Sequence, residues 1–448
     1  MLYTFRRLCP FYISALLIEL IETSVLCFVE RSNMDLSFLP MLRVFSVLWL
    51  QTTVSFLYMA VPLALYFAAL PQHKIYSPLD KKITLCLFAL FLFVNILEDV
   101  AECIFWEEFE SSFNFIAVDY LIYTKEVIGN ILQSYPVFKI LALVLFFSVA
   151  LAFLFKKYLF PNVTPPSLKK RLCSLLCLIS LCVISFFAVD IKLAEKGQNR
   201  YNNEVSKDGF YSLFSAFIKN ELNYNDFYVT RLNSQNTAFL KKDLKQKNVE
   251  FKNNGESIER SVKSEQPETK LNVIIVVMES MGYEFFDELH PRYTLTPNLS
   301  KLSREGIFFS RTYATGTRTV RGLEAVSLSV PPLPGMSILR RKGNENLYSI
   351  GSVFNRKGYD LKWLYGGYGY FDNMNYFFGN NGFKVIDRTD LDDKKIRHAN
   401  VWGVSDEDIF DRVIFEADNS YRQKKPFLQL VMTTSNHRPF SYPEGKID

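Results

Sequence analysis

Residues 271–280, LNVIIVVMES, decide how the C-terminal half of this chain folds. Residues 273–277 are all β-branched, and a short run of this kind bounded by polar residues is typical of a strand buried inside a sheet. We therefore predict a central strand at 273–278. It ends on a carboxylate, Glu279, which is costly to bury unless it is paired or binds a cation. The stretch alone leaves open whether Glu279 is a metal ligand or an exposed residue at a strand end.

The segments that follow alternate between helix and strand signals. The threonine–proline pair at 296–297 predicts the start of a helix, Gly306 predicts its end, and 307–313 predicts a second strand. Further on, 351–367 predicts a helix, a glycine stop and a strand, and 425–437, KPFLQLVMTTSNH, predicts another apolar strand. This alternation predicts an α/β sheet whose ligands gather at the carboxyl ends of its strands.

The first 191 residues have the composition of a membrane region. Crossing a bilayer core of roughly 30 Å takes about 20 mostly apolar residues, and five segments meet this requirement: 11–29, 44–70, 83–97, 137–155 and 172–189. The first contains Glu19 and Glu22, and carboxylates at that depth are costly unless they face other helices. We expect these two residues to be interhelical or protonated, with a functional role as the alternative.

The Lys and Arg distribution predicts the orientation of these helices. With the N-terminus in the cytoplasm, the cytoplasmic segments hold ten Lys and Arg residues and the opposite segments hold three, which is the asymmetry of multi-pass membrane proteins. Everything after Val189 then lies on the outer side. The outer loop between the third and fourth helices is predicted to be solvated, with a lid or docking surface as the alternative; its acidic residues are Glu98, Asp99, Glu102, Glu107, Glu108, Glu110, Asp119 and Glu126.

Composition divides the chain into three regions: a transmembrane domain at 1–191, a connector and linker at 192–269, and a globular domain at 270–448. Within the connector, 209–228 interleaves aromatic and polar residues as a helix lying on a membrane would, and a helix packed on a globular domain fits equally well. Residues 245–270 are rich in charge and predict a flexible tether. All seven cysteines precede residue 192, which excludes a disulfide framework from the rest, and a net charge of +5 does not indicate a nucleic-acid partner.

Thr319 is the second candidate for chemistry. It lies in the loop 314–325, ATGTRTVRGLEA, where the loop turns into a helix, so its simplest role is a helix cap. The same position suits a phosphate, because the backbone N–H groups and the dipole at a helix start attract anions. A threonine hydroxyl bound to a divalent cation is also a usable nucleophile. Arg318 and Arg321 offer positive charge for a phosphodiester, although arginines at helix starts are common on protein surfaces.

Five motifs, taken in order, resemble one family. They are VVMESMG (276–282), TPNLSKLSREGIFF (296–309), ATGTRTVRGLEA with PPLPG behind it (314–325 and 331–335), NVWGVSDEDIF (400–410) and TTSNHRPF (433–440). Together with the five N-terminal helices, they are similar to the lipoteichoic acid synthase and phosphoglycerol transferase family of the sulfatase and alkaline phosphatase superfamily. The resemblance implies a five-helix transmembrane region followed by an extracytoplasmic α/β domain of alkaline phosphatase/sulfatase type, anchored in a bacterial cytoplasmic membrane.

The resemblance also implies roles for three residues, Glu279, Thr319 and His437, and Arg318 stays a candidate from its charge. Glu279 and Thr319 would bind a divalent metal, with manganese as the expected ion and magnesium as the alternative. Thr319 would attack phosphatidylglycerol, release diacylglycerol, and hold glycerophosphate until a glycan or polyol acceptor takes it. Arg318 and His437 are the substrate-binding candidates, although a histidine after an apolar strand is as often an ordinary hydrogen-bonding residue. The sequence does not define an oligomeric state.

Two departures from the family pattern accompany the resemblance. Where the synthases have a histidine before a glycine, and then an arginine that grips phosphate, this chain has Tyr365 before Gly366, and later Met374. We therefore expect a different pocket, with Gly366, Gly367 and Gly369 forming a turn rather than a nucleotide loop. The sequence also lacks the Asp-His pair that completes the metal site in the family. We therefore expect the C-terminal part of the domain to be incomplete. Whether the chain is active stays open, because hard cations collect about six oxygen ligands and Glu279 and Thr319 supply only two of them.

Other functions fit the same pattern. A phosphoethanolamine transferase or a sulfatase-type hydrolase would share the fold, although sulfatases use a cysteine or serine that is converted to formylglycine and this loop offers threonines. A non-catalytic membrane protein that binds lipid headgroups or a protein partner is the alternative from another class.

Overall fold

The computed structural model describes residues 2–122, 124–161, 164, 166–218, 229–253, 255–289, 294–316, 318–331, 333, 335–443 and 445–446. The chain divides into two compact units, Met1–Asn220 and Glu221–Asp448. This division falls inside the segment 192–269 that we predicted to be a connector. Each unit has its own apolar core.

The first unit is helical. In chain order its described helices are α1 (Leu2–Val29), α2 (Phe38–Ala69), α3 (Pro78–Phe109), α4 (Phe115–Ile122), α5 (Thr124–Ser134), α6 (Val137–Phe155), α7 (Leu168–Ala188), α8 (Arg200–Val205) and α9 (Gly209–Ile218). Five of them, α1, α2, α3, α6 and α7, are long and apolar enough to cross a membrane. The five predicted segments are confirmed, and most of the helices extend beyond the predicted bounds because flanking polar residues continue the backbone hydrogen bonding.

The predicted acidic loop after the third helix is wrong over its first part. Residues 98–109 continue α3, and the side chains of Glu98 and Glu102 are buried rather than solvated. Helix α1 packs against α3, and Glu19 and Glu22 of α1 are buried too. The interhelical position that we predicted for Glu19 and Glu22 is therefore confirmed. The prediction failed because the carboxylates interrupt the apolar run of α3 but do not end the helix. The side chains of Asp119 and Glu126 lie outside the described part.

The connector is partly helical. Residues 209–218 of the predicted interfacial helix form α9, which packs against α2 and α3 and leaves Phe214 and Phe217 exposed. Residues 219–228 lie outside the described residues. In the second unit, α10 (Asn233–Leu244) precedes a short antiparallel ladder between β1 (Val249–Phe251) and β2 (Arg260–Val262). The ladder lies within the segment predicted as a flexible tether, and three of its six residues are exposed.

The second unit is built on a four-stranded parallel sheet. Its strands are β3 (Val273–Val277), β4 (Asp360–Tyr365), β5 (Lys384–Ile386) and, after a small ladder of β6 (Ala399–Asn400) with β7 (Gly403–Val404), β8 (Phe427–Met432). The strand order is β3-β8-β4-β5, so β8 and β4 occupy the centre and every residue of β8 is buried. The register pairs Met432 with both Val277 and Tyr365. The carboxyl ends of β3, β8 and β4 therefore lie side by side, which confirms the predicted α/β fold class.

Five further helices connect these strands: α11 (Pro297–Glu305), α12 (Thr319–Leu328), α13 (Ile350–Arg356), α14 (Met374–Asn380) and α15 (Asp406–Arg422). Helix α11 begins and ends as predicted. The strand predicted at 307–313 is wrong, because the described residues there form no strand and the side chains of Ile307, Phe309 and Tyr313 are exposed. Strand β3 also differs from its prediction as a central strand: it lies at the edge of the described sheet, and Ile274 is 47% exposed.

A buried ion-pair cluster connects β4 to α15. The Lys362 ammonium lies 2.8 Å from Asp360 Oδ2 and 3.1 Å from Glu416 Oε2, and it donates a hydrogen bond to Ser420 Oγ at 2.7 Å. The side chain of Lys362 is 5% exposed. A buried lysine is tolerated when its charge is paired and hydrogen-bonded. These contacts explain how a lysine is buried in β4 among the apolar residues that follow Asp360.

Candidate active site

Glu279 lies just beyond the carboxyl end of β3, where segments from two strands hold it. Its backbone N–H donates to Thr433 Oγ1, directly after β8, at 3.0 Å. Ser280, the next residue, has a φ of 49°, a left-handed conformation that is uncommon outside glycine. The Ser280 hydroxyl donates to Glu279 Oε1 at 2.9 Å, and its carbonyl accepts from Asn436 Nδ2 at 2.7 Å. The Glu279 carboxylate is thereby fixed at the edge where the three strands end.

Thr319 is in direct contact with Glu279. Its hydroxyl donates to Glu279 Oε2 at 2.7 Å, and both residues are half-buried. Arg318, not Thr319, is the cap residue of α12, and Thr319 is the first residue of the helix. The helix-cap interpretation of Thr319 is therefore wrong. Two residues that are forty positions apart in sequence form one polar pair at the start of a helix.

Arg318 lies beside a buried carboxylate. Its Nη2 is 3.6 Å from Asp372 Oδ2, and Arg340 Nη1 is 3.9 Å from Asp372 Oδ1. Asp372 is 1% exposed, and its carboxylate faces two guanidinium groups, one of them from the cap residue of α12. Arg321 is used differently, since it donates to Glu324 Oε1 at 2.8 Å and to the carbonyl of Gly335. Of the two arginines that we considered for a phosphodiester, Arg321 stabilises the loop that contains Gly335.

His437 follows β8 and lies against an aromatic ring. Its ring centroid is 4.1 Å from that of Trp402, with 34° between the planes. His437 Nδ1 lies 2.9 Å from the carbonyl oxygen of Arg438, so in the neutral ring Nδ1 donates and Nε2 is the acceptor. The structure brings Glu279 and Thr319 together, but it does not bring His437 into hydrogen-bonding contact with either. His398 is hydrogen-bonded to Ser441 instead, and His290 lies outside the described residues.

Comparison with known proteins assigns the domain that holds this site. Residues 271–447 match the family model described as Sulfatase, and this stretch includes Glu279, Thr319, Arg318 and His437. We call residues 271–447, the part of the chain that the family model covers, the sulfatase-family domain. Because five apolar helices precede it, this sulfatase-family domain belongs to a membrane-anchored protein, as predicted from the sequence.

Two solved structures are similar to part of the chain. A protein of the alkaline phosphatase superfamily from Vibrio parahaemolyticus is 38% identical over 41% of this chain and 45% of its own length, with a TM-score of 0.39. The lipoteichoic acid synthase LtaP from Listeria monocytogenes is 21% identical over 40% of this chain and 44% of its own length, with a TM-score of 0.37. This chain thus spans less than half of each protein, and the assignment of the sulfatase-family domain comes from the match at 271–447.

Several residues of the sulfatase-family site were not predicted. Thr433 accepts the Glu279 N–H, and Asp406, at the start of α15, accepts from the backbone N–H groups of Thr434 and Ser435 at 2.8 and 2.9 Å. The Ser435 hydroxyl in turn accepts from the Asp406 N–H at 2.8 Å. These residues lie inside motifs that the sequence already singled out, NVWGVSDEDIF and TTSNHRPF. The signal was present, but which side chain faces the site depends on contacts between distant segments.

The structure also shows where Tyr365 and Met374 lie, the two positions at which the sequence departs from the family pattern. Met374 is 1% exposed and belongs to the apolar core, and Tyr365 is buried at the end of β4. Neither position presents a cation, so this part of the sulfatase-family domain does not contribute an arginine to a phosphate site. The glycines that follow lie in bends and turns, which confirms the turn that we predicted.

Asp387 fixes that glycine turn. Its carboxylate accepts from the Gly369 N–H at 2.9 Å, from Asn375 Nδ2 at 2.6 Å, and from the N–H and hydroxyl of Thr389 at 2.8 and 2.6 Å. Burial by itself raises the pKa of Asp387, but the hydrogen bonds from Thr389, Gly369 and Asn375 outweigh it and hold the pKa below its ordinary value. The charged form is therefore the one that stabilises the turn.

Replacing Asp387 by asparagine is expected to destabilise the turn at neutral pH and to have less effect in acid. Because the pKa is lower in the folded state, the carboxylate stabilises the fold above its unfolded pKa of about 3.9, and this stabilisation is lost as the pH falls through the folded pKa. Hydrogen exchange at Gly369 and its neighbours, followed from neutral pH down to pH values well below about 3.9, measures the difference. Asp393→Asn is the matched control, since the side chain of Asp393 is 81% exposed. An Asp387→Asn effect that stayed constant with pH would contradict this explanation.

Proposed function

We propose that this protein is a membrane-anchored phosphoglycerol transferase in which Thr319 is the nucleophile. The observation that carries the proposal is the 2.7 Å hydrogen bond from the Thr319 hydroxyl to Glu279 Oε2. A sulfatase-family domain behind five apolar helices supports a lipid as the donor, here phosphatidylglycerol. The ten-to-three distribution of Lys and Arg supports a cytoplasmic N-terminus, a catalytic domain outside the bacterial cytoplasmic membrane, and a glycan or polyol as the acceptor.

The polar pair suggests how the chain performs this transfer. Glu279 takes the hydroxyl proton as Thr319 Oγ1 attacks the phosphorus of the lipid headgroup. The bond from phosphorus to the diacylglycerol oxygen breaks, diacylglycerol leaves with the proton that Glu279 took up, and Thr319 keeps the glycerophosphate. The N–H groups at the start of α12 and the guanidinium of Arg318, oriented by Asp372, balance the phosphate charge. His437 is the candidate for contacting the phosphate. An acceptor hydroxyl then attacks the phosphorus and displaces Thr319, and the proton that the acceptor loses passes through Glu279 to Thr319 Oγ1.

The chemical type of these two side chains suits a divalent cation. Glu279 and Thr319 offer oxygen donors, which manganese and magnesium both accept, and their oxygens are close enough for one ion to reach both. Within the described residues, no group of three Asp, Glu, His or Cys side chains with metal-binding spacing includes Glu279. When bound there, such an ion would lower the pKa of the threonine hydroxyl.

The proposal predicts a covalent adduct on Thr319. Full-length protein in lipid nanodiscs is supplied with manganese or magnesium and with phosphatidylglycerol labelled in its glycerol headgroup, and the digest is analysed by mass spectrometry. We expect release of about one diacylglycerol per chain, with glycerophosphate on the peptide that contains Thr319.

Other substrates discriminate the alternatives. A phosphoethanolamine adduct from phosphatidylethanolamine, with none from phosphatidylglycerol, would replace the proposed donor. Hydrolysis of an aryl sulfate without an adduct would favour a sulfatase. If phosphatidylglycerol binds but no residue is modified, the protein is a lipid-binding protein and the transferase proposal is wrong.

A further inference from the structure

Six acidic side chains meet inside the helical first unit, whereas the candidate active site belongs to the second unit. They come from α1, from the C-terminal half of α3 and from the residue that precedes α9, and α3 packs against both other helices. Five of them are at least nine-tenths buried and the sixth, Asp99, is partly buried. We call this set the acidic cluster: Glu19, Glu22, Glu98, Asp99, Glu102 and Asp208.

Three members of the acidic cluster have the spacing of a metal site. Glu19, Glu22 and Asp99 each offer a carboxylate oxygen, and these oxygens all lie within 4.8 Å of one another. Hard divalent cations bind oxygen at roughly 2.0–2.6 Å, so ligands on opposite sides of one ion are about 4–5 Å apart. A single ion can therefore contact all three side chains.

The charge of the acidic cluster is not balanced by the protein. None of its six carboxylates forms an ion pair with a lysine or arginine of the described residues; the paired groups of this unit, Arg7 with Asp80 and Lys207 with Glu204, are different ones. Like charges at such short range in surroundings of low dielectric repel strongly. Either protons or a bound cation must neutralise the cluster.

Hydrogen bonding distinguishes these two possibilities. Buried oxygens of the cluster have no hydrogen-bond partner, among them Oε2 of Glu19, both carboxylate oxygens of Glu98, Oδ1 of Asp99, Oε2 of Glu102 and Oδ2 of Asp208. A protonated carboxyl group is a donor as well as an acceptor, and the side chains of Glu19 and Asp208 are in hydrogen-bonding contact, whereas both oxygens of Glu98 have no partner. Buried polar atoms without partners are costly. One cation compensates several such oxygens at once.

We propose that Glu19, Glu22 and Asp99 bind a hard divalent cation inside the helical unit, and that Glu98, Glu102 and Asp208 form the acidic surroundings of this ion. Carboxylate oxygens favour calcium, magnesium and manganese over softer metals. The ion joins α1 to α3, so its binding stabilises the packing of these two helices. The site is distinct from Glu279 and Thr319 and does not depend on the transferase proposal.

Manganese binding to the full-length protein tests this site. The parent for the experiment carries Glu279→Gln, which removes the carboxylate of the candidate active site. In nanodiscs, electron paramagnetic resonance of unbound manganese counts the bound ions, with calcium and magnesium as competitors. We expect about one manganese per chain. Adding Glu19→Gln or Glu22→Gln should weaken binding by at least the roughly tenfold that loss of an outer-shell partner costs. Glu107→Gln, an exposed residue of α3, is the matched control and should change nothing.

The outcomes separate a cation from protons. Glutamine has the shape of a protonated glutamate, so a cluster neutralised by protons would tolerate Glu19→Gln, and the variant would bind manganese like its parent; this overturns the proposal. Loss of all binding in Glu279→Gln alone also overturns it. If Glu19→Gln does not fold, Asp99→Asn, at a partly exposed position, replaces it with the same expected loss. As a second readout, calcium should raise the thermal unfolding midpoint of Glu107→Gln but not that of Glu19→Gln or Asp99→Asn.

Discussion

Replacing Thr319 by alanine is expected to reduce diacylglycerol release from phosphatidylglycerol to the level measured without protein. The variant loses the hydroxyl that donates to Glu279 at 2.7 Å, and with it the atom that would carry the glycerophosphate. The size of the initial diacylglycerol burst is the measurement. Thr319→Ser is the matched control, because it keeps a hydroxyl at the start of α12 and should retain a burst.

Glu279→Gln keeps the nucleophile but removes both the proposed base and a proposed metal ligand in the same assay. Without a carboxylate to take the proton, the burst should be slower by at least about 10²-fold, the lower end of the usual contribution of general base catalysis. A full burst in Thr319→Ala would contradict the proposal and move the nucleophile to a neighbouring threonine. Thr315 already donates its hydroxyl to the carbonyl of Arg321, and Thr317 lies outside the described residues.

Replacing Lys362 by alanine is expected to destabilise the second unit by about 3–5 kcal/mol, the cost of breaking a buried ion pair from one side. Glu416 is the residue that suffers, since its side chain is 6% exposed and its Oε2 lies 3.1 Å from the Lys362 ammonium. Arg412 lies 2.9 Å from Glu416 Oε1 and balances part of the charge, so we expect the lower end of this range. Hydrogen exchange of the β4 and β8 amides in the full-length protein gives the change in opening free energy.

A double variant tests whether this cost comes from the orphaned charge. Lys362→Met combined with Glu416→Gln removes both charges while keeping similar volumes, and such replacements of buried ion pairs are often neutral. The double variant should therefore recover most of the stability lost in Lys362→Ala. If Lys362→Ala changed the opening free energy by less than about 1 kcal/mol, the value of an exposed pair, the cluster would be solvated in practice.

The parts of the fold that were predictable are those written in local sequence. Strand β3 followed from its β-branched run, α11 from its threonine–proline start and Gly306, and α1 from apolar length. The wrong predictions concern segments whose structure depends on contacts with distant parts of the chain. Residues 307–313 have the composition of a strand, but they pair with no strand of the described sheet. In sequence, Glu98 resembles the start of a loop, and only the packing of α1 against α3 shows that the helix continues.

The candidate site follows the same division. Glu279 was recognisable as a carboxylate at a strand end, and its pairing with Thr319 came from the family resemblance and is seen as a direct contact. Asp372 was not recognisable, because nothing near it in sequence reveals that two arginines from other segments approach it. Trp402 likewise meets His437 only after the chain has folded.

Gly209, the first residue of α9, borders the acidic cluster. A Cβ at this position would lie 1.9 Å from Glu98 Oε1 and 2.0 Å from Glu102 Oε2, so these two carboxylates occupy the space of the missing side chain. The atoms of α3 that approach the start of α9 most closely are thus carboxylate oxygens rather than apolar carbon atoms. A change in the charge of these two carboxylates would therefore change the surface against which the N-terminus of α9 packs.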